Sequence, residues 1–263
     1  MYASHPPDVT QRRTNAPKNA FGKLRRLACD LLHLIAPSPC LACGARFDST
    51  HDALGLCPSC REDLEIWPDS GCELCQRPIA GAHLPGGYRC GPCRRRPPSF
   101  DRLRSLWSYQ GPLDSALLAL KFRRLEYLGP QFGHRLAQHF KAEAAEAEVV
   151  VPVPLHWRRR WERGYDQAHL IAKALARSTN RPLCPALRRT RATSAQSRLP
   201  RKARQANLRG AFEIRRHVEG VRVLLVDDVV TTGSTLEAAC QSLRSAGARS
   251  IVALTVARTP EPE

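Results

Sequence analysis

The sequence lacks the long apolar run and the glycine motifs that would place it in several common classes. Its most apolar N-terminal stretch, residues 21–35, is interrupted by Arg25 and Arg26, whereas a helix that crosses a bilayer needs about 20 apolar residues. Neither Gly-x-x-x-x-Gly-Lys-Ser/Thr nor Gly-x-Gly-x-x-Gly occurs, which argues against P-loop and dinucleotide-binding proteins. No secretory signal is recognisable, so we expect a cytoplasmic protein with no membrane span.

Acidic residues and aromatic residues are also scarce. The chain has 41 Lys and Arg against 24 Asp and Glu, and residues 158–209 alone hold fifteen cations and two acids. A basic groove that follows a phosphate backbone would explain this excess. Only Trp161 and Tyr165 in this stretch, and Trp157 just before it, are available for base stacking, which is few for a single-strand binder. A single-stranded DNA partner and a solvated basic face therefore both stay open.

Cysteine, in contrast, is abundant and regularly spaced. Eight of the eleven cysteines form four Cys-x-x-Cys pairs: Cys40 and Cys43, Cys57 and Cys60, Cys72 and Cys75, Cys90 and Cys93. Each pair of pairs has the spacing of a tetrahedral Cys₄ zinc site, and a site filled by four thiolates is structural, not catalytic. We therefore predict two structural zinc ions. Disulfides or redox pairs are the alternative for these cysteines, and the pairing on zinc can be sequential or crossed.

The composition divides the chain into three parts. Residues 1–20 are basic, polar and rich in proline, and we predict a disordered tail. Residues 21–96 hold a helix over 21–35 and a double zinc ribbon, with the helix packing the ribbons onto the rest. The Arg- and Pro-rich residues 94–98 indicate a linker, after which residues 97–263 form a second domain.

Strand and helix patterns alternate in this second domain. We predict strands at 105–109, 149–153, 221–226 and 250–256, and weaker strands at 184–188 and 210–214. Helices are predicted at 113–122, within 127–148 and from 166 to 175. This alternation is typical of an α/β fold with a parallel, doubly wound sheet, which binds ligands at the carboxyl ends of its strands.

One motif combines an acid pair with a hydroxyl-rich turn. Asp227 and Asp228 follow the apolar run Val221–Val226, and then come Val229, Val230, Thr231, Thr232, Gly233, Ser234 and Thr235. The carboxylates can accept hydrogen bonds from ribose hydroxyls, directly or through Mg²⁺. Because a helical pattern starts at Leu236, the turn lies at a helix N-terminus, where N–H groups favour a phosphate. The motif predicts a sugar-phosphate site.

This motif resembles the phosphoribosyl-pyrophosphate (PRPP) loop of type I phosphoribosyltransferases. The resemblance implies that Asp227 and Asp228 hold the ribose hydroxyls, that residues 229–235 hold the 5′-phosphate, and that Mg²⁺ accompanies PRPP. By order along the chain, a turn through residues 155–160 takes the place of the pyrophosphate loop. Residues 191–209 take the place of the flexible catalytic loop.

The chain as a whole resembles the ComF family, in which a cysteine-rich zinc domain precedes a phosphoribosyltransferase-like domain. Besides the cysteines and the PRPP loop, the resemblance is carried by Leu120-Lys121-Phe122, Val151-Pro152-Val153-Pro154, Arg163-Gly164-Tyr165-Asp166-Gln167-Ala168, Gln196, Arg204, Asn207 and Ala211-Phe212. Of these, Arg163, Gln167, Gln196, Arg204 and Asn207 are assigned to the pyrophosphate and flexible loops. The family usually has Asn where this chain has Asp166.

The resemblance implies a role in DNA uptake and natural transformation, or in nucleotide- or gluconate-linked metabolism. Three functions are compatible with it. The protein is a phosphoribosyltransferase that displaces pyrophosphate from PRPP, a module that binds single-stranded DNA and has lost the chemistry, or a PRPP sensor whose zinc domain binds a protein partner.

Overall fold

A computed structural model describes residues 39–47, 54–79, 86–190 and 210–260. Its centre is a four-stranded parallel sheet of strands β1 (Arg102–Ser108), β2 (Val149–Pro152), β5 (Arg222–Val230) and β6 (Ser250–Arg258), in the order β1-β6-β5-β2. The short strands β3 (Leu187–Arg189) and β4 (Phe212–Ile214) pair antiparallel in a separate ribbon. The predicted parallel α/β sheet is confirmed, and the two weaker predicted strands form this ribbon.

Helices cover both faces of the sheet. In chain order they are α1 (Pro58–Glu62), α2 (Gly91–Arg95), α3 (Pro112–Phe122), α4 (Leu128–His139), α5 (Lys141–Glu146), α6 (Trp157–Arg163), α7 (Gln167–Ser178) and α8 (Ser234–Ser245). Alternate residues of a strand point to opposite faces. Accordingly, Leu224 and Val226 of β5 belong to the core under α3, α4 and α7, whereas Val223 and Leu225 belong to the core under α8 and the β3-β4 ribbon.

Several elements differ from the predictions made above. β1 begins at Arg102 and not at Ser105, and α7 ends at Ser178 and not at Leu175. β5 does not end at Val226 but continues through Val230, because β6 is equally long and pairs with it up to Arg258. The predicted helical stretch 127–148 is two helices, α4 and α5, divided at Phe140. The predicted turn at 155–160 is mostly helix α6, which begins after His156 and ends at Gly164 in the left-handed conformation.

The cysteine-rich segment lies along β1, which is an edge strand of the sheet. The N–H of Leu103 donates to the carbonyl of Leu74 at 2.7 Å, and the N–H of Trp67 donates to the carbonyl of Leu106 at 2.9 Å. An unpaired edge offers its backbone groups to other chains. Here the segment that carries the cysteines satisfies them.

The second half of this segment also contacts the carboxyl end of β6 and the first turn of α8. The Arg258 guanidinium, at the end of β6, donates to the carbonyl of Cys75. Ser99, just after α2, donates through its N–H and its hydroxyl to the carboxylate of Glu237, at 3.0 and 2.7 Å. Because Glu237 lies in the first turn of α8, the segment is bonded to the helix that follows the acid-pair motif.

Several predictions concern residues outside the described ranges. These are the tail over 1–20, the helix over 21–35 and the loop over 191–209. None of the helices in the described ranges has the length and apolarity needed to cross a membrane.

Candidate functional site

The eight regularly spaced cysteines form two clusters. The sulfur atoms of Cys40, Cys43, Cys57 and Cys60 lie within 4.8 Å of one another, and so do those of Cys72, Cys75, Cys90 and Cys93. The pairing is therefore sequential, and a crossed pairing does not fit this geometry. The Sγ atoms of Cys43 and Cys57 are 3.7 Å apart, whereas a disulfide has an S–S distance of about 2.05 Å. All cysteines in the described part of the chain are free thiols.

Each cluster has the donor set that zinc requires. Burial raises the pKa of Cys40, but backbone N–H groups of Cys43, Cys57 and Ala42 outweigh it and lower the pKa to about 6. In the second cluster backbone N–H groups likewise outweigh burial and bring the pKa of Cys72 to about 7. Burial and the surrounding sulfurs raise the pKa of Cys60. Because these sulfurs disfavour further negative charge, a cation at their centre is needed for all four to be thiolates. The two clusters fit two structural zinc ions.

The acid pair lies near the carboxyl end of β5, inside the strand. Asp228 has the same orientation as Leu224 and Val226, and it meets α3 and α7: its Oδ2 is 3.2 Å from Lys121 Nζ and 3.4 Å from Gln167 Nε2. Its Oδ1 accepts the N–H of Val229 at 2.6 Å. Asp228 therefore lies on the face of the sheet that α3 and α7 cover.

Asp227 has the orientation of Val223 and Leu225, on the side of the β3-β4 ribbon. Its Oδ1 accepts the N–H of Asp228 at 2.9 Å. Burial raises the pKa of Asp227 well above its usual value, and the neighbouring Asp228 raises it further. Arg189 at the end of β3 interacts electrostatically with Asp227. Both carboxylates border one cleft.

The turn after the acid pair joins β5 to α8. Gly233 has φ +75° and forms the N-cap of α8, a conformation that residues with a side chain adopt at a cost. The hydroxyls of Thr232 and Ser234 are 2.9 Å apart. The N–H of Ser234 donates to the hydroxyl oxygen of Thr232 at 3.4 Å. The first turn of a helix has N–H groups without a partner inside the helix and is suited to an anion, and Thr235 lines the same cleft as the acid pair.

The cleft has a volume of about 640 Å³, and eight of its eighteen lining residues are charged. Its cations are Lys121, Arg124, Arg159, Arg163 and Arg189, and its acids are Glu162, Asp227 and Asp228. Five cations against three acids leave a net charge of +2. A polar cleft of this size and charge suits a small ligand that carries phosphates.

The cleft brings together only part of the predicted site. Arg163, Gln167, Asp227, Asp228, Val229 and Thr235 all line it. The other predicted residues of the turn are not among its lining residues: Val230, Thr231, Thr232, Gly233 and Ser234. Gln196, Arg204 and Asn207 lie outside the described residues. Lys121 and Arg189 were not among the predicted site residues. Lys121 stood in the Leu-Lys-Phe string of the ComF resemblance, which was the available signal. Arg189 was one of the fifteen cations of residues 158–209, and nothing in the sequence distinguished it from the others.

Asp166, which departs from the family's usual Asn, acts as an acceptor. Its Oδ2 accepts the N–H of Leu155 at 2.8 Å, and its Oδ1 accepts the N–H of His169 at 3.1 Å as the N-cap of α7. Both contacts use carboxylate oxygens. An amide donor is not required for either of them.

The acid pair does not offer Mg²⁺ a ready site. Mg²⁺ takes oxygen ligands in near-ideal octahedral geometry, but three of the four carboxylate oxygens of Asp227 and Asp228 already accept from N–H or ammonium donors. Oδ2 of Asp228 is held by Lys121 at 3.2 Å. The residues therefore do not fit a magnesium ion held by the protein alone.

Two stretches of the chain match described families. Residues 167–263 match the phosphoribosyl transferase domain, and residues 31–95 match the double zinc ribbon domain. Together with the parallel sheet and the two four-cysteine sites, these matches define a phosphoribosyltransferase-type α/β protein with an N-terminal double zinc ribbon.

Relatives cover most of the chain. DNA utilization protein YhgH of Escherichia coli (strain K12) is 32% identical over 78% of this chain and 97% of its own length. Competence protein F of Haemophilus influenzae is 33% identical over 77% and 96%, and competence protein ComFC of Bacillus subtilis is 30% identical over 84% and 95%. The chain belongs to the ComF family. Among solved structures, purine phosphoribosyltransferase from Pyrococcus horikoshii is 17% identical over 50% of this chain and 81% of that one, with a TM-score of 0.33.

Proposed function

We propose that the cleft binds PRPP and that the protein is a cytoplasmic phosphoribosyltransferase-like member of its family. The observation that supports this most directly is that Asp228 and Thr235, on either side of the turn that joins β5 to α8, line one cleft at the carboxyl end of β5. Carboxylates suit the ribose hydroxyls, and the start of α8 suits the 5′-phosphate. Because its relatives are named for competence and DNA utilization, we extend a role in DNA uptake to this chain.

The arginines of the cleft support transfer of the phosphoribosyl group. In such a reaction, the bond between C1 of the ribose and the pyrophosphate oxygen breaks, and a nucleophilic nitrogen of the acceptor forms a new bond to C1. Negative charge then accumulates on the leaving pyrophosphate. Arg159, Arg163 and Arg189 line the cleft and would stabilise that charge by fixed electrostatics. Mg²⁺ is expected to arrive with the diphosphate of PRPP.

Calorimetric titration with PRPP and Mg²⁺ tests the proposal. We expect saturable binding that is lost in the Asp227→Asn, Asp228→Asn double variant and kept in Asp63→Asn, an exposed aspartate of the zinc segment. Pyrophosphate release in the presence of nucleobases or short oligonucleotides then distinguishes a transferase from a PRPP sensor. Absence of PRPP binding by the unaltered protein would refute both.

Helix α6 favours single-stranded DNA as a second ligand. Trp157 and Trp161 lie one turn apart on α6 and are 63% and 85% exposed. The Arg158 guanidinium lies 5.3 Å from the Trp157 ring centre, and that of Arg163 lies 5.0 Å from the ring of Phe122, which is 68% exposed. Exposed aromatic rings interleaved with arginines provide stacking and charge for a single strand.

A binding titration with labelled single-stranded DNA tests this second function. The logarithm of the affinity should fall linearly with the logarithm of the salt concentration. Replacing both tryptophans of α6 by Ala should weaken binding by about 1–3 kcal/mol per stacked base, and replacing both by Phe should restore most of it. A flat salt dependence, or equal affinity for the Ala and Phe variants, would exclude stacking on α6.

A further inference from the structure

Lys121 forms an ion pair with the second aspartate of the acid pair. It lies in the last turn of α3, and its Nζ is 3.2 Å from Oδ2 of Asp228. The two side chains are only 17% and 13% exposed. Nζ also lies 5.9 Å from the ring centre of Tyr109. The ammonium group is thus held near both a carboxylate and an aromatic ring, among the residues that line the cleft.

The surrounding groups add to this positive field. Gln167 Nε2 donates to the same oxygen of Asp228, and Arg163 interacts electrostatically with Asp228 while Arg189 does so with Asp227. With a net charge of +2 among its lining residues, the cleft repels a free divalent cation. A metal ion that approached Asp228 would also have to displace the ammonium group from its oxygen.

We infer that Lys121 takes the position at Asp228 that a divalent cation would otherwise occupy, so that the ligand-free cleft excludes Mg²⁺. Lys121 is then a positioning residue: it keeps the carboxylate of Asp228 oriented and free of metal until a ligand enters. The identity of that ligand rests on the proposed function, whereas the exclusion of metal does not. A divalent ion reaches the cleft only on the phosphates of a ligand.

Metal binding to the zinc-loaded, full-length protein without PRPP tests this inference. Mn²⁺ serves as a paramagnetic substitute for Mg²⁺, and electron paramagnetic resonance measures the free ion. We expect no saturable Mn²⁺ site in the unaltered protein. Lys121→Met should gain one site that is at least about tenfold tighter than any residual binding of Mn²⁺ by the unaltered protein, which corresponds to about 1.4 kcal/mol. Lys173→Met, which removes an exposed lysine of α7, should bind no Mn²⁺.

Two further variants connect the new site to the acid pair. Asp228→Asn added to Lys121→Met should abolish the gained Mn²⁺ site, because the ligating carboxylate is gone. Lys121→Gln, which keeps a polar side chain, should also gain the site, and it serves as the test if Lys121→Met does not fold.

The inference is overturned if the unaltered protein binds Mn²⁺ as tightly as the Lys121 variants do. It is also overturned if both Lys121 variants fold and neither gains a site, or if the gained site survives Asp228→Asn. The Mn²⁺ titration contains no PRPP, so a failure of the protein to bind PRPP would not change its outcome. A failure of the Mn²⁺ titration would likewise not decide whether the protein binds PRPP.

Discussion

Replacing Gln76 by Leu should destabilise the protein by about 2–4 kcal/mol. Gln76 follows the second cysteine of the second zinc cluster and is 1% exposed. Its Oε1 accepts the N–H of Ser105 in the edge strand β1 at 2.6 Å, and its Nε2 donates to Asp69 at 3.1 Å. Leu has a similar volume but neither polar group.

The magnitude follows from the two lost bonds. Ser105 is itself 1% exposed, so its N–H would be left buried without an acceptor, at a cost of about 1–3 kcal/mol. The partly exposed bond to Asp69 adds about 1 kcal/mol. Gln76 has φ +55°, and Leu would have the same backbone strain, so strain does not enter the difference.

Urea unfolding at a fixed concentration of free zinc measures this effect. A lower midpoint with an unchanged slope would show a loss of stability and not a change in the unfolded state. The matched control is Gln110→Leu, at an exposed glutamine, which should change the free energy of unfolding by less than about 0.5 kcal/mol. Equal effects of the two substitutions would refute the proposed role of Gln76 in joining the zinc segment to the sheet.

Two other predictions concern the acid pair and the metal. Asp227→Asn should raise the melting temperature increasingly as the pH rises above about 4, the usual aspartate pKa. Burial and Asp228 raise the pKa of Asp227 in the folded state. The contribution of Asp227 to the stability of the fold is therefore present at low pH and is lost as the pH approaches that raised pKa. Thermal unfolding across pH measures this effect, and a gain in melting temperature that does not depend on pH would contradict it. Cys72→Ser should lower the zinc content from two ions to one, as measured by elemental analysis, and retention of two ions would contradict the role of Cys72 as a zinc ligand.

The sequence was sufficient for the features that depend on local chemistry. Four Cys-x-x-Cys pairs predicted the two metal sites, because their ligands come from short adjacent loops. The alternation of apolar strands and amphipathic helices predicted the parallel sheet and its helical layers. The acid pair and the following turn were located because one strand, one turn and one helix build them.

Features that depend on contacts between distant residues could not be predicted. Lys121 lies 107 positions before Asp228, and only the packing of α3 beside β5 brings them together. The extension of β5 through the acid pair required knowledge of the length of β6. Helix α6 was missed because none of its residues is buried, so its sequence shows no apolar helical pattern. Its ends are set by the caps at His156 and Gly164.

The contacts of the zinc segment with β1 limit how the protein can be divided. A fragment that starts at residue 97 would expose the N–H groups of Leu103 and Ser105, which Leu74 and Gln76 now satisfy. It would also release the Arg258 side chain from the carbonyl of Cys75. Such a fragment would present a bare strand edge, a template on which copies assemble into aggregates. Recombinant work on the ligand cleft therefore has to retain the metal-binding half of the chain.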